Sequence, residues 1–288
     1  MEVKLVKPCG YCLGVTQAMK IAEKAKRSYP DKKVYLLGLL VHNEDAVKEL
    51  SSLGLIVLDE RKKGLKESLL EIEEGSVVVF SAHGHPEEYN EIAKDRGLIQ
   101  IDATCCHVQE NLEYARENQD SGIIYVGAKG HLEAEAFRAN LPCCFYDVKS
   151  NELLGELPKG DEPLIVSQTT LSYEEVSRAF MAIRSLKPNA RLGKERCLAT
   201  SSRQNALKKA IEEGVDGVFV IGSSLSSNTK KLRDIALSYH LPTFMALNED
   251  ELRCLDIPEM KKAAVVSGAS TDIATALRCA SYLKGLFL

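Results

Sequence analysis

The sequence predicts an α/β fold: three pseudo-threefold-related modules, each a small, mostly parallel sheet flanked by helices, around a central site. Three observations carry this prediction. Short apolar runs alternate with amphipathic segments along the whole chain, the pattern of βαβ units. Cysteine loops recur at nearly equal spacing, Cys12 and Cys105 being 93 residues apart and Cys105 and Cys197 being 92 apart. Two further polar loops follow each cysteine at similar intervals: His42 and His83, then His131 and Thr169, then Asn228 and Ser270. Such a repeat divides the chain into modules 1–97, 98–193 and 194–288.

Length and composition agree. A chain of 288 residues exceeds one ordinary core. Its hydrophobic content of 45% and charged content of 27% match a globular protein in water. A formal net charge of −4 argues against broad attraction to nucleic acid or to anionic membranes. The start, "MEVKLVKPCG", has no apolar run of signal-peptide length, and no run is long enough to cross a bilayer. A cytoplasmic protein is expected.

In chain order, buried strands are predicted at "VKLV", "VYLLG", "LIVL", "VVVFS", "LIQID" and "GIIYVG", then at "CCFYDV", "PLIVS", "GVFVIG", "PTFMA" and "AAVVSG". Helices are predicted at "VTQAMKIAEKAKRSY", "PEEYNEIAKDRG", "LSYEEVSRAFMAIRSL" and "SSNTKKLRDIALSYH", where apolar residues recur three and four apart. In open α/β sheets ligands bind beyond the carboxyl ends of strands. The loops there carry Cys12, His42, His83, Cys105, His131, Glu133, Thr169, Ser226, Ser227, Asn228 and Ser270, and "ERCLATSSRQ" carries Cys197.

Nine cysteines in a reducing compartment point away from a disulfide framework and toward metal binding or catalysis. Three thiolates from three modules can hold one metal centre. Structural zinc usually has four closed ligands, often in C-x2-4-C pairs, and only Cys9 and Cys12 form such a pair. Distant single cysteines suit an iron–sulfur cluster better, one thiolate per iron, with one iron left open. Three buried cysteines in similar folds is the plainer alternative. Cys254 and Cys279 are expected to be small buried residues. In the "CCFYDV" strand, Cys143 and Cys144 should face opposite ways, one inward and one outward.

The loops "SSLSSNTK" and "SGASTD" each open a helix, where free backbone N–H groups favour phosphate. A lone serine there is an ordinary cap; with three strand-end histidines the balance moves toward an anionic phosphate ligand. Glu133 can shuttle a proton or simply complement a helix dipole, and for one glutamate alone the second reading has the higher prior. Asp102 is placed to bond the backbone of the cysteine loop. His107 is expected in the first turn of a helix and not as a ligand. His85 is expected beside His83 or as plain loop.

At these residues the chain resembles the LytB-type 4-hydroxy-3-methylbut-2-enyl diphosphate reductases. The matching stretches are "GYCLGV", "VHN", "SAHG", "DATC", "GHLEAE", "QTTLS", "CLATSSRQ", "GSSLSSNTKKL" and "SGAST", in family order over nearly the whole chain. The resemblance implies a trefoil of three α/β modules around a [4Fe-4S] cluster held by Cys12, Cys105 and Cys197, with one open iron. It implies a diphosphate pocket of His42, His83, His131, Ser226, Ser227, Asn228 and Ser270, with Thr170 alongside. It implies catalytic roles for Glu133, Thr169 and His131 in reductive loss of the allylic hydroxyl, giving isopentenyl and dimethylallyl diphosphate. Ferredoxin or flavodoxin would supply electrons.

Four departures from the family pattern stand beside these residues. Cys9 replaces an arginine, Cys106 a proline with His107 following, Leu132 interrupts a usual "HPE", and Asp272 stands where proline is usual. They fit a drifted reductase, a paralogue reducing another hydroxylated substrate, or a metal- or redox-sensing protein without turnover. Repeat spacing alone only leans toward Cys105 over Cys106; the resemblance selects Cys105.

Overall fold

The computed structural model describes residues 1–194 and 197–286, so Glu195 and Arg196 of the "ERCLATSSRQ" stretch lie outside the described residues. The chain forms two compact units. One contains Met1–Thr16, Val41–Glu49 and Leu198–Leu288; the other contains Gln17–Leu40 and Leu50–Cys197.

The first unit is built on a four-stranded parallel sheet. Its strands are β1 (Glu2–Leu5), β11 (Gly217–Ile221), β12 (Thr243–Ala246) and β13 (Lys262–Ser267), in the order β1-β13-β11-β12. Both faces are buried, which is why these strands read as unbroken apolar runs. Phe219, Ile221, Ala263 and Val265 face helices α10 (Glu249–Arg253) and α11 (Ile273–Gly285) through Leu252, Cys279 and Leu283. The alternate residues Val218, Val220, Ala264 and Val266 face α8 (Leu198–Glu212) and α9 (Ser227–Ser238) through Leu207, Ala210, Leu232 and Ala236. The period-two split between the faces is the strand pleat itself.

The second unit has two sheets. One holds β2 (Val34–Leu37), β3 (Ile56–Leu58), β4 (Val77–Phe80) and β5 (Ile99–Asp102), all parallel, in the order β3-β2-β4-β5. Helices α3 (Leu65–Leu70) and α4 (Glu88–Asp95) cover Leu37, Val78 and Phe80 with Leu69 and Ala93. The other sheet has the order β10-β9-β6-β7-β8, from β6 (Ile123–Gly127), β7 (Cys144–Asp147), β8 (Glu152–Leu154), β9 (Leu164–Ser167) and β10 (Arg191–Leu192). One face carries Ile123, Tyr125, Phe145 and Val166 against α5 (Cys106–Glu117) and α6 (Leu132–Asn140), through Ala115, Ala134 and Phe137. The other packs Ile124, Val126 and Ile165 against α7 (Tyr173–Leu186), through Ala179 and Ile183. The remaining helices are α1 (Leu13–Ser28) and α2 (Glu44–Ser52).

All eleven expected strands are present. β8 and β10 are additional; β8 pairs antiparallel with β7, the one antiparallel pair among the described strands. Two cysteine readings change. Cys254 is exposed at the end of α10, because a five-residue helix buries only Leu252. Cys143 does not point outward. Both faces of its sheet are covered, so Cys144 joins one core and Cys143 packs against the other. Burial pushes the Cys143 thiol up to about 11. Cys279 is fully buried, as expected.

Candidate active site

Each of the three repeat cysteines stands immediately before a long helix: Cys12 before α1, Cys105 before α5 and Cys197 before α8. Backbone N–H groups in a first helical turn lack intrahelical partners, and the helix dipole favours negative charge there. Metal-bound thiolates carry that charge, so this donor set suits an iron–sulfur cluster. For Cys12 the contact is explicit: the Val15 N–H donates to Cys12 Sγ at 3.5 Å.

In the first unit, three bonds hold the Cys12 loop. Gly10 N donates to Ser267 Oγ at 3.1 Å, Arg203 donates to the Gly10 carbonyl at 2.6 Å, and Cys12 N donates to the Ala269 carbonyl at 2.9 Å. Buried Asn228 extends the same scaffold. Its Oδ1 accepts from Ala269 N and its Nδ2 donates to Thr200 Oγ1, both at 3.1 Å. Ser270 Oγ donates to the His42 carbonyl at 3.2 Å. Ser226 caps α9 by accepting from Thr229 N at 3.3 Å, with Ser227 the first residue of that helix. Gly222 and Gly268 make this close packing available. A Cβ on Gly268 would overlap Thr229 Oγ1, and Gly222 holds φ at +141° with Thr271 Oγ1 where its Cβ would stand.

In the second unit, His131 caps α6 by accepting from the Glu133 N–H at 3.3 Å. Its ring meets that of His83 edge-on, 6.0 Å between centroids. His83 Nδ1 lies 3.4 Å from Ser81 Oγ. Glu133 is 3% exposed. Thr169 serves both of its oxygens, through its N–H to Oε1 at 2.8 Å and its hydroxyl to Oε2 at 2.7 Å. The Tyr125 hydroxyl donates to Oε1 at 3.5 Å. Burial pushes the Glu133 carboxyl up to about 7, although the Thr169 and Tyr125 bonds pull the other way. A near-neutral acid held by two hydroxyl side chains is suited to proton transfer. Gln168 braces the adjacent loop, accepting from Ala128 N at 2.9 Å and donating to Thr170 Oγ1 at 2.6 Å.

The structure therefore brings Glu133 together with Thr169, and His131 with His83. It ties Ser270 to the His42 backbone and Asn228 to the Cys12 loop. Several supporting residues escaped sequence reasoning. Tyr125 sits inside an apolar strand and reads as core. Arg203 is an ordinary helix cation until its 5% exposure is seen. Thr200 and Ser267 carry no signal of their own.

Two of the four altered positions, Asp272 and Cys106, have local explanations; nothing in the structure explains Cys9 or Leu132. Asp272 caps α11, accepting from Thr275 N at 3.1 Å, so an N-cap carboxylate takes over where a proline would have preset the backbone. Cys106 is the first residue of α5, the helical position where proline is tolerated. His107 lies in the same first turn, its Nδ1 3.4 Å from Glu110 Oε2, and the donor atoms of Cys106, His107 and Glu110 lie within 4.8 Å of one another. Asp102 bonds the cysteine loop as expected, accepting from Thr104 N at 2.8 Å. His85 stacks on Phe80, 3.8 Å between centroids, and burial lowers its pKa.

Strand-end cysteines at helix N-termini, a buried acid of raised pKa and paired histidines define a class: an α/β protein equipped for redox and proton chemistry on a small ligand. A family model described as LytB protein matches residues 3–284, and the chain belongs to that family, one of iron–sulfur enzymes. It is 33% identical over 289 residues to the 4-hydroxy-3-methylbut-2-enyl diphosphate reductase of Lysinibacillus sphaericus, covering 98% of this chain and 88% of that protein. The Shouchella clausii enzyme of the same name is 34% identical over 276 residues, covering 94% and 87%. Among solved structures, the Plasmodium falciparum E-1-hydroxy-2-methyl-but-2-enyl-4-diphosphate reductase superposes with a TM-score of 0.85 at 27% identity, covering 99% of this chain and 89% of that one. A second structure, of (E)-4-hydroxy-3-methyl-but-2-enyl diphosphate reductase, gives 0.66 at 28% identity, covering 99% and 100%. No helix among the described residues is long and apolar enough to cross a membrane.

Proposed function

We propose that the chain reduces 4-hydroxy-3-methylbut-2-enyl diphosphate, breaking its allylic C–O bond to give isopentenyl and dimethylallyl diphosphate. Two electrons and two protons are consumed and water leaves. The observation that carries this reading is the Glu133–Thr169 pair. A buried carboxyl with a raised pKa, bonded through both oxygens to one threonine, is built to give up a proton and take it back.

Cys12, Cys105 and Cys197 hold a [4Fe-4S] cluster, which when bound supplies the one-electron steps. Their places before α1, α5 and α8 support this assignment, and they support reading 1–97, 98–193 and 194–288 as three repeated modules. His42, His83, His131, Ser226, Ser227, Asn228 and Ser270 bind the diphosphate. The α9 N-terminus adds backbone N–H groups suited to phosphate oxygens. Asn228 Nδ2 and the Ser226 hydroxyl each keep a proton to donate beyond the bonds described. Thr169 orients the substrate hydroxyl, and Glu133, through Thr169, provides the proton that leaves with it as water. His131 fixes the first turn that carries Glu133. A ferredoxin or flavodoxin delivers the electrons singly.

The test is anaerobic purification, iron and sulfide counted per chain, and turnover of the substrate with a chemical reductant, followed by mass spectrometry. Both five-carbon diphosphates should form. A cluster-replete sample yielding neither would overturn the reading. Zinc without sulfide in the isolated protein would instead identify a non-catalytic metal protein.

A further inference from the structure

The reaction proposed above takes two protons per turnover, and Glu133 is almost wholly buried. Its proton must be replaced from solvent in every cycle. In the same unit a cleft of about 270 Å³ reaches Glu133 and Tyr125 from the side of α5 and α6. Its mouth carries the exposed residues Glu87, Asp102 and Glu113.

Two further lining residues bear on what the cleft can hold. Thr104 Oγ1 and His85 Nδ1 are buried atoms with no hydrogen-bond partner in the protein. Buried polar atoms are almost always satisfied, by protein or by ordered water. A water needs about 15 Å³ of such space and two or more polar partners, so the cleft has room for several. His85 Nε2 already faces Asn90 Oδ1 at 3.1 Å, which makes Nε2 the donor and leaves Nδ1 as an acceptor. Thr104 can donate and accept. At the inner end the Tyr125 hydroxyl donates to Glu133 Oε1. Tyr125 is fully buried and stacked on Phe137, 4.0 Å between centroids, so its hydroxyl has a fixed aim.

We propose that this cleft holds a file of water that returns protons from solvent to Glu133, with Thr104 and His85 anchoring the water and Tyr125 as the positioning residue at its inner end. In each transfer an O–H bond forms on the Glu133 carboxylate as one breaks on the neighbouring water or Tyr125 hydroxyl, which in the same movement takes a proton from the next water outward, so that no buried tyrosinate or hydroxide is left behind. No electron moves in these steps. The inference rests on the reductase reading for its purpose but not for its measurement.

The test follows hydrogen–deuterium exchange of the Glu133 carboxyl in the holoenzyme at pH 6 by infrared difference spectroscopy. The band is assigned by its loss in Glu133→Gln. Ala136→Leu fills the cleft, and Thr104→Val removes a water anchor at nearly constant volume, keeping the test available if the first variant does not fold. Exchange should slow about tenfold or more in Ala136→Leu and severalfold in Thr104→Val. kcat should fall with a larger solvent isotope effect, at unchanged KM and unchanged iron and sulfide. Exchange as fast as wild type in both folded variants overturns the proposal. Slowed exchange in a chain that never reduces the diphosphate keeps the water path and removes the function assigned to it.

Discussion

Replacing Glu133 by Gln should make the protein more stable near neutral pH and far less active. The carboxyl belongs to a fully buried side chain whose pKa is raised from 4.5 to about 7, chiefly by loss of solvation. The folded chain thus holds this proton more tightly than the unfolded chain does. The resulting stabilisation is complete below about pH 4.5 and is lost as pH rises through about 7. The gap between the two values corresponds to roughly 3 kcal/mol. Gln keeps the shape, accepts from the Thr169 N–H and cannot ionise. The difference in unfolding free energy, variant minus wild type, should therefore grow by roughly 3 kcal/mol from pH 4.5 to 8 and then level off. Urea unfolding followed by far-UV circular dichroism measures it under anaerobic conditions at matched cluster content; the chain has no tryptophan to report by fluorescence. Contributions of all other groups cancel in the difference. Parallel stability curves, or a wild type that gains on the variant as pH rises, would refute the reasoning. Activity gives a second view. A positioned acid is worth about 10²–10⁴-fold in rate, so Glu133→Gln should lose at least that lower factor. Wild-type kcat should decline as pH rises above about 7, where the acid is ionised.

Four further outcomes follow from particular contacts. Cys106→Pro should keep iron and sulfide at wild-type levels, because the site is the first position of α5 and Cys105 already has φ −59° and ψ 133°, the conformation a following proline requires. Cys105→Ser should lose most of both by colorimetric analysis, and the reverse pattern would reassign the ligand. Ser172 and Glu175 form a reciprocal capping box at the start of α7, with bonds of 3.2 and 2.9 Å. Ser172→Ala should cost about 1 kcal/mol in urea unfolding. Gly268→Ala forces a methyl onto Thr229, so it should cost about 1–3 kcal/mol by overpacking and weaken diphosphate binding in calorimetry.

Much of the fold is legible in the chain because β-strands buried on both faces are unbroken apolar runs. "VVVF" and "GVFVIG" announce themselves. The same feature hides which residue faces which core, so Cys143 could be assigned an outward face that its sheet does not have. β8 and β10 went unread because three- and two-residue strands at a sheet edge carry no periodicity. Cys254 reads as buried by composition and is exposed because its helix is a single short turn.

The site divides in the same way. Residue type and spacing pointed to Cys12, Cys197, the adjacent pair Cys105 and Cys106, the histidine loops and the serine-rich helix starts, since chemistry restricts which side chains can bind thiophilic metal or phosphate; the family resemblance then chose Cys105 from its pair. Tertiary structure alone decided the rest. It paired β1 with β13 across the length of the chain, set three cysteines at helix N-termini, joined Glu133 to Thr169 and placed Tyr125 behind them. Desolvation and hydrogen bonding depend on what stands within a few ångströms in space. A carboxyl that the sequence leaves as an ordinary first-turn glutamate is a near-neutral acid only once its neighbours have folded around it.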